Sequence, residues 1–229
     1  MSFSQEWDKC YIDNTQLSIW PWSDLVSLVY RHSKPLITAG GGRVLELGCG
    51  AGANIPLFRA LGMDYSAIES SPTIVMQLHQ RYPDLAGNIR VGDFTADQLF
   101  AGNFDLVIDR AALTHSNTAS IRSALQRVFE LLKPGGLLIG VDWFSKNHTD
   151  YSGGEAVDDE CTRTNYSKGQ FASVGKAHFS DEAHLHVLFS EFEIIFMEEK
   201  IVRRYEPQDN HQFASWNIVA KKPVAGVYR

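Results

Sequence analysis

A glycine-rich stretch followed at a fixed distance by a carboxylate is the part of this sequence best suited to chemistry. Gly48, Gly50 and Gly52 alternate with small residues directly after the apolar run 43–47. Glycine lets a backbone turn tightly and approach a ligand, and a helix that begins there offers free N–H groups. Glu69 follows about 20 residues after Gly48, the spacing at which a carboxylate accepts hydrogen bonds from a ribose diol. Together these features predict a site for an adenosine-containing cofactor.

The glycine loop alone leaves two alternatives open. A tight strand-to-helix turn that binds no ligand has the same composition. A dinucleotide site usually has the pattern G-x-G-x-x-G, and Ala53 at the third glycine position is a permitted variant. The loop by itself therefore does not exclude NAD.

Alternating strand and helix patterns surround this loop from about Gly41 to Phe144 and continue near the end of the chain. Helices are predicted over 53–61, 72–82, 120–132 and 180–190, with Ser71 and Ser180 as N-caps of the second and fourth. Strands are predicted over 43–47, 65–68, 89–91, 104–108, 137–141, 192–201 and 213–220. Strands that alternate with helices imply a parallel sheet that is covered on both faces.

Two regions depart from this alternation. Residues 1–40 are rich in aromatic side chains, and residues 145–177 are rich in Gly, Ser, Asn and Asp. The second region is predicted to be a long irregular connection, and such connections inside domains are usually functional or disordered.

Several segments resemble, in the same order, the motifs of class I S-adenosylmethionine-dependent methyltransferases. The segment 44–52 (VLELGCGAG) is similar to the first motif of that family, and 67–71 (AIESS) is similar to its acidic strand end. Gly92-Asp93-Phe94 resembles the segment that holds adenine. The segments 104–109 (FDLVID) and 132–136 (LKPGG) resemble the fourth strand and the turn before the fifth. The resemblance covers residues 43–144.

The resemblance implies a single α/β domain over residues 1–229. Its fold would be a Rossmann-like, doubly wound, seven-stranded sheet, mostly parallel with an antiparallel last strand and helices on both faces. S-adenosylmethionine would bind over the carboxyl ends of strands one to four, with S-adenosylhomocysteine as the product.

The resemblance also assigns roles to single residues. Gly48 and Gly50 would pass under the amino acid end of the cofactor, Glu69 would hold the ribose hydroxyls, and Glu46 would organise the loop or the amino group. Asp93 would accept the adenine amino group, with Phe94 or Ser70 near the ring. Cys49 is expected among the cofactor-binding residues of the loop, as a small packing residue and not a nucleophile.

Three residues are candidates for catalysis. The resemblance places Asp109, at the end of the fourth strand, near the sulfonium or the acceptor. His115 and His178 are candidate general bases, which a hydroxyl or protonated amine acceptor needs. The alternatives are that Asp93 and Asp109 only cap turns, that His115 caps a helix and that His178 is a packing or surface residue.

The N-terminal aromatic residues have two interpretations. Tyr11, Trp20 and Trp22 are predicted to form a lid over the sulfonium, because aromatic faces attract cations. Alternatively, these rings pack on the edge of the sheet. A lid together with the 145–177 insertion would favour a small-molecule acceptor.

Composition limits the remaining function classes. The formal net charge of −6 argues against a nucleic-acid partner, which attracts basic surfaces. Cys10, Cys49 and Cys161 form no C-x-x-C pair, so neither a disulfide framework nor a metal site is expected. Neither a signal peptide nor an apolar run long enough to span a membrane is visible. We therefore expect a cytoplasmic monomer or homodimer without a membrane partner.

The sequence thus predicts methyl transfer from S-adenosylmethionine to a small molecule, at oxygen or nitrogen, by direct displacement. The alternatives are a nicotinamide-dependent oxidoreductase and a protein that binds S-adenosylmethionine without catalysis.

Overall fold

A computed structural model describes residues 5–13, 17–98, 100–172 and 174–224 of the chain. Its strands are β1 (Arg43–Leu47), β2 (Asp64–Glu69), β3 (Ile89–Val91), β4 (Phe104–Arg110), β5 (Leu132–Phe144), β6 (Glu155–Val157), β7 (Asp159–Thr164), β8 (Ala177–His178), β9 (Glu193–Arg203) and β10 (Gln212–Lys221). Its α-helices are α1 (Gln5–Ile12), α2 (Ser23–His32), α3 (Lys34–Thr38), α4 (Ile55–Ala60), α5 (Pro72–Arg81), α6 (Thr118–Leu131) and α7 (Glu182–Leu188).

Seven of these strands form one sheet in the order β3-β2-β1-β4-β5-β10-β9. Neighbouring strands from β3 to β5 are parallel, whereas β10 runs antiparallel to both β5 and β9. The strand order reverses beside β1, where β2 lies on one side and β4 on the other. The prediction of a Rossmann-like sheet with an antiparallel last strand is confirmed. In such sheets, ligands bind beyond the carboxyl ends of the strands at the point of reversal.

Both faces of this sheet are buried, as expected of parallel strands. On β1, Val44 packs with α2, α4 and α5, whereas Leu45 on the opposite face packs with α6 and α7. On β4, Leu106 and Val107 point to opposite faces in the same way. Alternation along each strand therefore builds two cores that fix the sheet between its helices.

Side-chain caps set where several helices begin. The Ser71 hydroxyl accepts a hydrogen bond from the backbone N–H of Ile74 (3.2 Å) at the start of α5, as predicted. Asp181, and not Ser180, caps α7, because its carboxylate accepts from the N–H of His184 at 2.8 Å. Among the described residues, no helix is both long and apolar enough to cross a membrane.

The region 145–177 is more regular than predicted. It contains a 3-10 turn (Thr149–Ser152) and the strands β6 and β7, and β7 pairs with β8 to complete a three-stranded antiparallel sheet. Polar and charged residues dominate β7, so the apolar alternation that reveals a strand is missing from its sequence. The expectation of an irregular connection was wrong for this reason. Residues 1–4 and 14–16 of the N-terminal segment, and Ser173 of the insertion, lie outside the described residues.

Candidate active site

A cavity of about 350 Å³ lies beyond the carboxyl ends of β1, β2, β4 and β5. Its volume is within the range of small-molecule sites. The side formed by β1 and β2 is lined by Glu46, Gly48, Cys49, Gly50, Glu69, Ser70 and Phe94. The opposite side is lined by Trp7, Trp22, Arg110, His115, Asp142, Phe144, Gln170, Phe171, Val174 and Phe213, and Tyr11 lines the cavity with its hydroxyl beside Gly50.

The glycine loop between β1 and α4 needs its glycines for two reasons. Gly48 and Gly50 have φ angles of 65° and 51°, in the left-handed region that side chains disfavour. A Cβ at Gly48 would lie 2.3 Å from the Cβ of Ala112, and one at Gly50 would lie 2.9 Å from the Tyr11 hydroxyl. The left-handed backbone and the close packing against Ala112 and Tyr11 therefore both require glycine, and the loop lines the cavity.

Glu69 ends β2 at the floor of the cavity and is only 4% exposed. Its two carboxylate oxygens accept from the backbone N–H groups of Gly50 and Ser71, both at 2.9 Å. Burial raises its pKa above the ordinary value, although these hydrogen bonds oppose the shift. A carboxylate has about four lone-pair positions, so Glu69 can accept further hydrogen bonds from a ligand in the cavity.

Glu46 lies beneath the loop and is almost fully buried. It accepts from the Asn54 amide (2.7 Å) and the Tyr65 hydroxyl (2.6 Å), and so connects β1 to the end of the glycine loop. Burial raises its pKa to about 7. This placement agrees with the expectation that Glu46 organises the loop.

The residues predicted to bind adenine differ in whether they line the cavity. Phe94 and Ser70 line the cavity. The carboxylate of Asp93 instead accepts from the backbone N–H (2.8 Å) and hydroxyl (2.6 Å) of Thr95, and Asp93 is not among the lining residues of the described cavity. One carboxylate oxygen of Asp93 is thus engaged in the turn that follows β3, as in the alternative considered from the sequence.

Asp109 is fully buried behind the cavity wall, in contrast to its predicted position beside the sulfonium or the acceptor. One carboxylate oxygen accepts from the N–H of Leu113 (3.0 Å) and the other from the indole N–H of Trp143 (2.6 Å). Burial raises its pKa to about 7. These contacts fix the turn after β4, so Asp109 positions the residues that follow it.

His115 does line the cavity. Its Nδ1 lies 2.8 Å from the backbone carbonyl oxygen of Lys176, which only accepts, so Nδ1 carries the proton and Nε2 is an unprotonated acceptor. The rings of Trp7 and Phe144 pack edge-on against the imidazole, with centroids 4.8 and 5.8 Å away. Burial lowers the pKa of His115 to about 4, so the ring is neutral near pH 7.

His178 lies outside the cavity, in the small sheet, and is 1% exposed. Its ring contacts Thr162 and His184. The sequence placed it next to the insertion but gave no indication of which face of β8 it occupies, and that face is buried against β7 and α7. The structure therefore does not bring this candidate base to the cavity.

The predicted lid residues divide between the cavity and its surroundings. Tyr11, on α1, is buried with its hydroxyl close to Gly50, and Trp22 lines the cavity from just before α2. Trp20 is 71% exposed and does not line it. Trp22 directly precedes α2 and contributes to the cavity lining, whereas Trp20, two residues earlier, does not. The aromatic wall thus includes Tyr11, Trp22 and also Trp7, which the sequence analysis missed.

Arg110 is a second residue that sequence reasoning missed. Its guanidinium carbon lies 3.9 Å from the centre of the Trp22 ring, and one terminal nitrogen lies 3.2 Å from a carboxylate oxygen of Asp142. Its Nε is buried without a hydrogen-bond partner among the described residues. Arg110 is the one cationic side chain among the described lining residues. The signal available in the sequence was a charged residue two positions after the end of the fourth predicted strand.

Comparison with known proteins places this geometry in context. Residues 44–136 match the family model described as a methyltransferase domain. A ubiquinone biosynthesis O-methyltransferase of Xanthomonas axonopodis pv. citri (strain 306) is 37% identical over 105 residues, which is 43% of this chain and 41% of that protein. The chain thus matches about two fifths of the length of the curated relatives.

Solved structures resemble the chain over a longer span. An S-adenosylmethionine-dependent methyltransferase from Methanosarcina mazei has a TM-score of 0.65 at 19% identity, covering 81% of this chain and 94% of its own. The 1,6-didemethyltoxoflavin-N1-methyltransferase of Burkholderia thailandensis, solved with its substrate and S-adenosylhomocysteine, has a TM-score of 0.60 at 17% identity. That match covers 94% of this chain and 83% of that chain. At these identities the likeness concerns the fold.

Proposed function

We propose that this chain, which belongs to the class I S-adenosylmethionine-dependent methyltransferases, transfers a methyl group from that cofactor to a small molecule at oxygen or nitrogen. The observation that carries the proposal is a single cavity with two different sides. One side has the glycine loop and the Glu69 carboxylate, and the other has aromatic rings, Arg110 and the neutral imidazole of His115.

The residues on the β1 and β2 side fit the cofactor. Glu69 has lone pairs left for the ribose hydroxyls, and Gly48 and Gly50, which line the same side of the cavity, would lie under the amino acid end. Phe94 and Ser70 line the part of the cavity where the adenine ring would lie. When bound, S-adenosylmethionine supplies a methyl group attached to a positively charged sulfur, and the thioether that leaves is neutral.

The opposite side supports the handling of an acceptor. Rings of Trp7, Trp22 and Phe144 exclude water and limit orientation, which is the main task of a protein that assists direct displacement. His115 lines this half of the cavity, and its Nε2 is unprotonated when Nδ1 donates to the Lys176 carbonyl. An acceptor hydroxyl or ammonium placed there could give its proton to Nε2.

The class of acceptor follows from the size and polarity of this half. Aromatic walls around the Arg110–Asp142 ion pair suit a compact molecule with a ring or apolar body and a polar group. The net charge of −6 supports such an acceptor over a nucleic acid. A cytoplasmic location and a monomeric or homodimeric state stay predictions from the sequence.

A transfer assay tests the proposal. The full chain is incubated with S-adenosylmethionine and a panel of small hydroxyl- and amine-bearing ring compounds. Formation of S-adenosylhomocysteine and the mass gain of one methyl group on the acceptor are both measured. We expect the product to form only when a suitable acceptor is present. Binding of S-adenosylhomocysteine without turnover of any acceptor would favour a non-catalytic binding protein instead.

A further inference from the structure

A second group of chemically reactive side chains lies in the small sheet, outside the cavity. It consists of Cys161 on β7, His178 on β8 and His184 in the first turn of α7, and we call it the Cys161 cluster. Cys161 and His178 are buried, and His184 is half-buried. Three separate elements thus bring one thiol and two imidazoles to a single point that the proposed methyl transfer does not use.

The distances within the Cys161 cluster suit a tetrahedral metal ion. The Nε2 atoms of His178 and His184 are 3.2 Å apart, and all three ligand atoms lie within 4.8 Å of one another. Two imidazole nitrogens on one tetrahedral Zn²⁺ are separated by about 3.3 Å, given Zn–N bonds of about 2.0–2.1 Å.

Neighbouring hydrogen bonds already fix His178 in the form that a metal needs. The Thr162 hydroxyl donates to a carboxylate oxygen of Asp159 at 2.9 Å, so its oxygen is left to accept from Nδ1–H of His178 at 3.1 Å. Nε2 of His178 is then unprotonated, and its lone pair faces the cluster. In metal sites, the ring nitrogen of a histidine that does not bind the metal commonly makes a hydrogen bond that orients the ring. Here Thr162 makes that hydrogen bond, and Asp159 in turn orients Thr162.

We propose that Cys161, His178 and His184 bind one Zn²⁺ ion, with water as a fourth ligand on the half-exposed side of His184. On binding, the Cys161 thiol loses its proton to solvent and forms the sulfur–zinc bond, while both imidazoles bind as neutral donors. The ion would join β7 and β8 of the insertion to α7 of the main domain.

A second cluster of possible ligands, His148, Asp150 and His211, is less suitable. Nδ1 of His148 accepts from the backbone N–H of Asp150 at 3.0 Å, and Nε2 lies 2.9 Å from the Gln170 amide. Both ring nitrogens are therefore engaged. The Cys161 cluster can also be explained without a metal ion. In that case Nε2–H of His184 donates a hydrogen bond to Nε2 of His178, and the cluster binds no ion.

Cobalt titration of the full, chelator-treated chain separates these possibilities. Co²⁺ is the spectroscopic probe, and Zn²⁺ is then added as competitor. We expect one equivalent of Co²⁺ to bind with a near-ultraviolet thiolate-to-cobalt absorption that Zn²⁺ abolishes. Cys161→Ser should remove that absorption, and Cys10→Ser, a matched control elsewhere in the chain, should retain it.

Further variants keep the proposal open to refutation even where one substitution impairs folding. His184→Gln, on the half-exposed side, should weaken Co²⁺ affinity by at least about tenfold. His211→Gln should leave it unchanged, and Zn²⁺ should raise the melting temperature of the wild-type chain but not of Cys161→Ser. Absence of the absorption from the wild type, or its persistence in Cys161→Ser, would overturn the proposal. Neither readout depends on methyl transfer, so the two proposals can fail separately.

Discussion

The carboxylate of Glu69 shows what single residues contribute to this site. The backbone N–H groups of Gly50 and Ser71 hold it beside the glycine loop, where it lines the cavity. His115 shows the same principle on the other side, because the Lys176 carbonyl selects its tautomer. In both cases the backbone sets the orientation in which a side chain meets a ligand.

Glu69→Ala should weaken S-adenosylhomocysteine binding by about 1.5–3 kcal/mol, because charge-assisted hydrogen bonds to the ribose are lost. Titration calorimetry measures the change, with Glu191→Ala as an exposed control of the same residue type. Equal affinity of Glu69→Ala and wild type would refute the ribose assignment.

His115→Ala should lower turnover by roughly 10²–10⁴-fold with a hydroxyl or amine acceptor, while cofactor affinity stays near the wild-type value. A base works only when unprotonated, and the pKa of His115 is about 4. The wild-type rate should therefore lose the contribution of His115 only as pH falls toward 4. Rates from pH 5 to 8 and the exposed control His186→Ala check this. An acidic limb near pH 6.5 that vanishes in His115→Ala would contradict the buried, neutral ring.

Sequence reasoning found the residues whose role depends on local spacing and missed those whose role depends on burial. Gly48 and Glu69 lie at the carboxyl ends of β1 and β2, and His115 follows β4 by five residues, so their positions along the chain predict that they lie near one another. Asp109 follows the same rule but turns away from the cavity, because Leu113 and Trp143 satisfy its carboxylate. Whether such a side chain faces the cavity depends on hydrogen-bond partners, such as Trp143, that are distant in the sequence.

At the scale of elements, α1 connects the cofactor side to the aromatic wall. The carboxylate of Asp8 accepts from the Ser71 hydroxyl and from the N–H of Thr73 (3.3 Å) at the start of α5. The same helix places Trp7 against His115 and Tyr11 beside Gly50. One docking contact therefore positions two sides of the cavity.

Asp8→Ala should release α1 with little loss of global stability, because a single half-exposed hydrogen-bonded contact contributes only about 1 kcal/mol. We expect faster hydrogen exchange in α1 and weaker binding of S-adenosylhomocysteine. Asp13→Ala, an exposed change at the end of the same helix, is the control. Unchanged exchange in Asp8→Ala would show that packing alone holds α1.

Elements with a clear apolar period were predictable from sequence, and those without one were not. The pattern of α6 predicts its one-sided packing, since Ile121, Leu125 and Val128 all face the sheet. The strand β7 carries mostly polar residues, and it pairs with β8, whose Ala177 packs in a cluster with Phe144 and Phe179. Such strands can be identified from the three-dimensional structure but not from the sequence pattern.

At the scale of the whole molecule, buried carboxylates make stability depend on pH. Burial raises the pKa of Glu46 to about 7 from an ordinary value of 4.5. The folded chain then holds this proton more tightly than the unfolded chain does. The contribution to stability is full below pH 4.5 and is lost as pH rises through 7. Asp109 acts in the same direction.

Glu46→Gln should therefore flatten the fall in the free energy of unfolding between pH 5 and 8, by at most about 3 kcal/mol. Urea unfolding at a series of pH values measures the effect. Glu193→Gln removes the same charge from an exposed position and should leave the slope of the wild type. Parallel curves for Glu46→Gln and the wild type would contradict the buried, protonated state.

Calorimetric titration of the wild-type chain with S-adenosylhomocysteine and, separately, with NAD⁺ tests the central claim most directly. The glycine loop and Glu69 are compatible with either adenosine cofactor, whereas the fold and the family match favour the first. We predict saturable one-to-one heat with S-adenosylhomocysteine and none with NAD⁺. Saturable heat with NAD⁺ and none with S-adenosylhomocysteine would contradict the account.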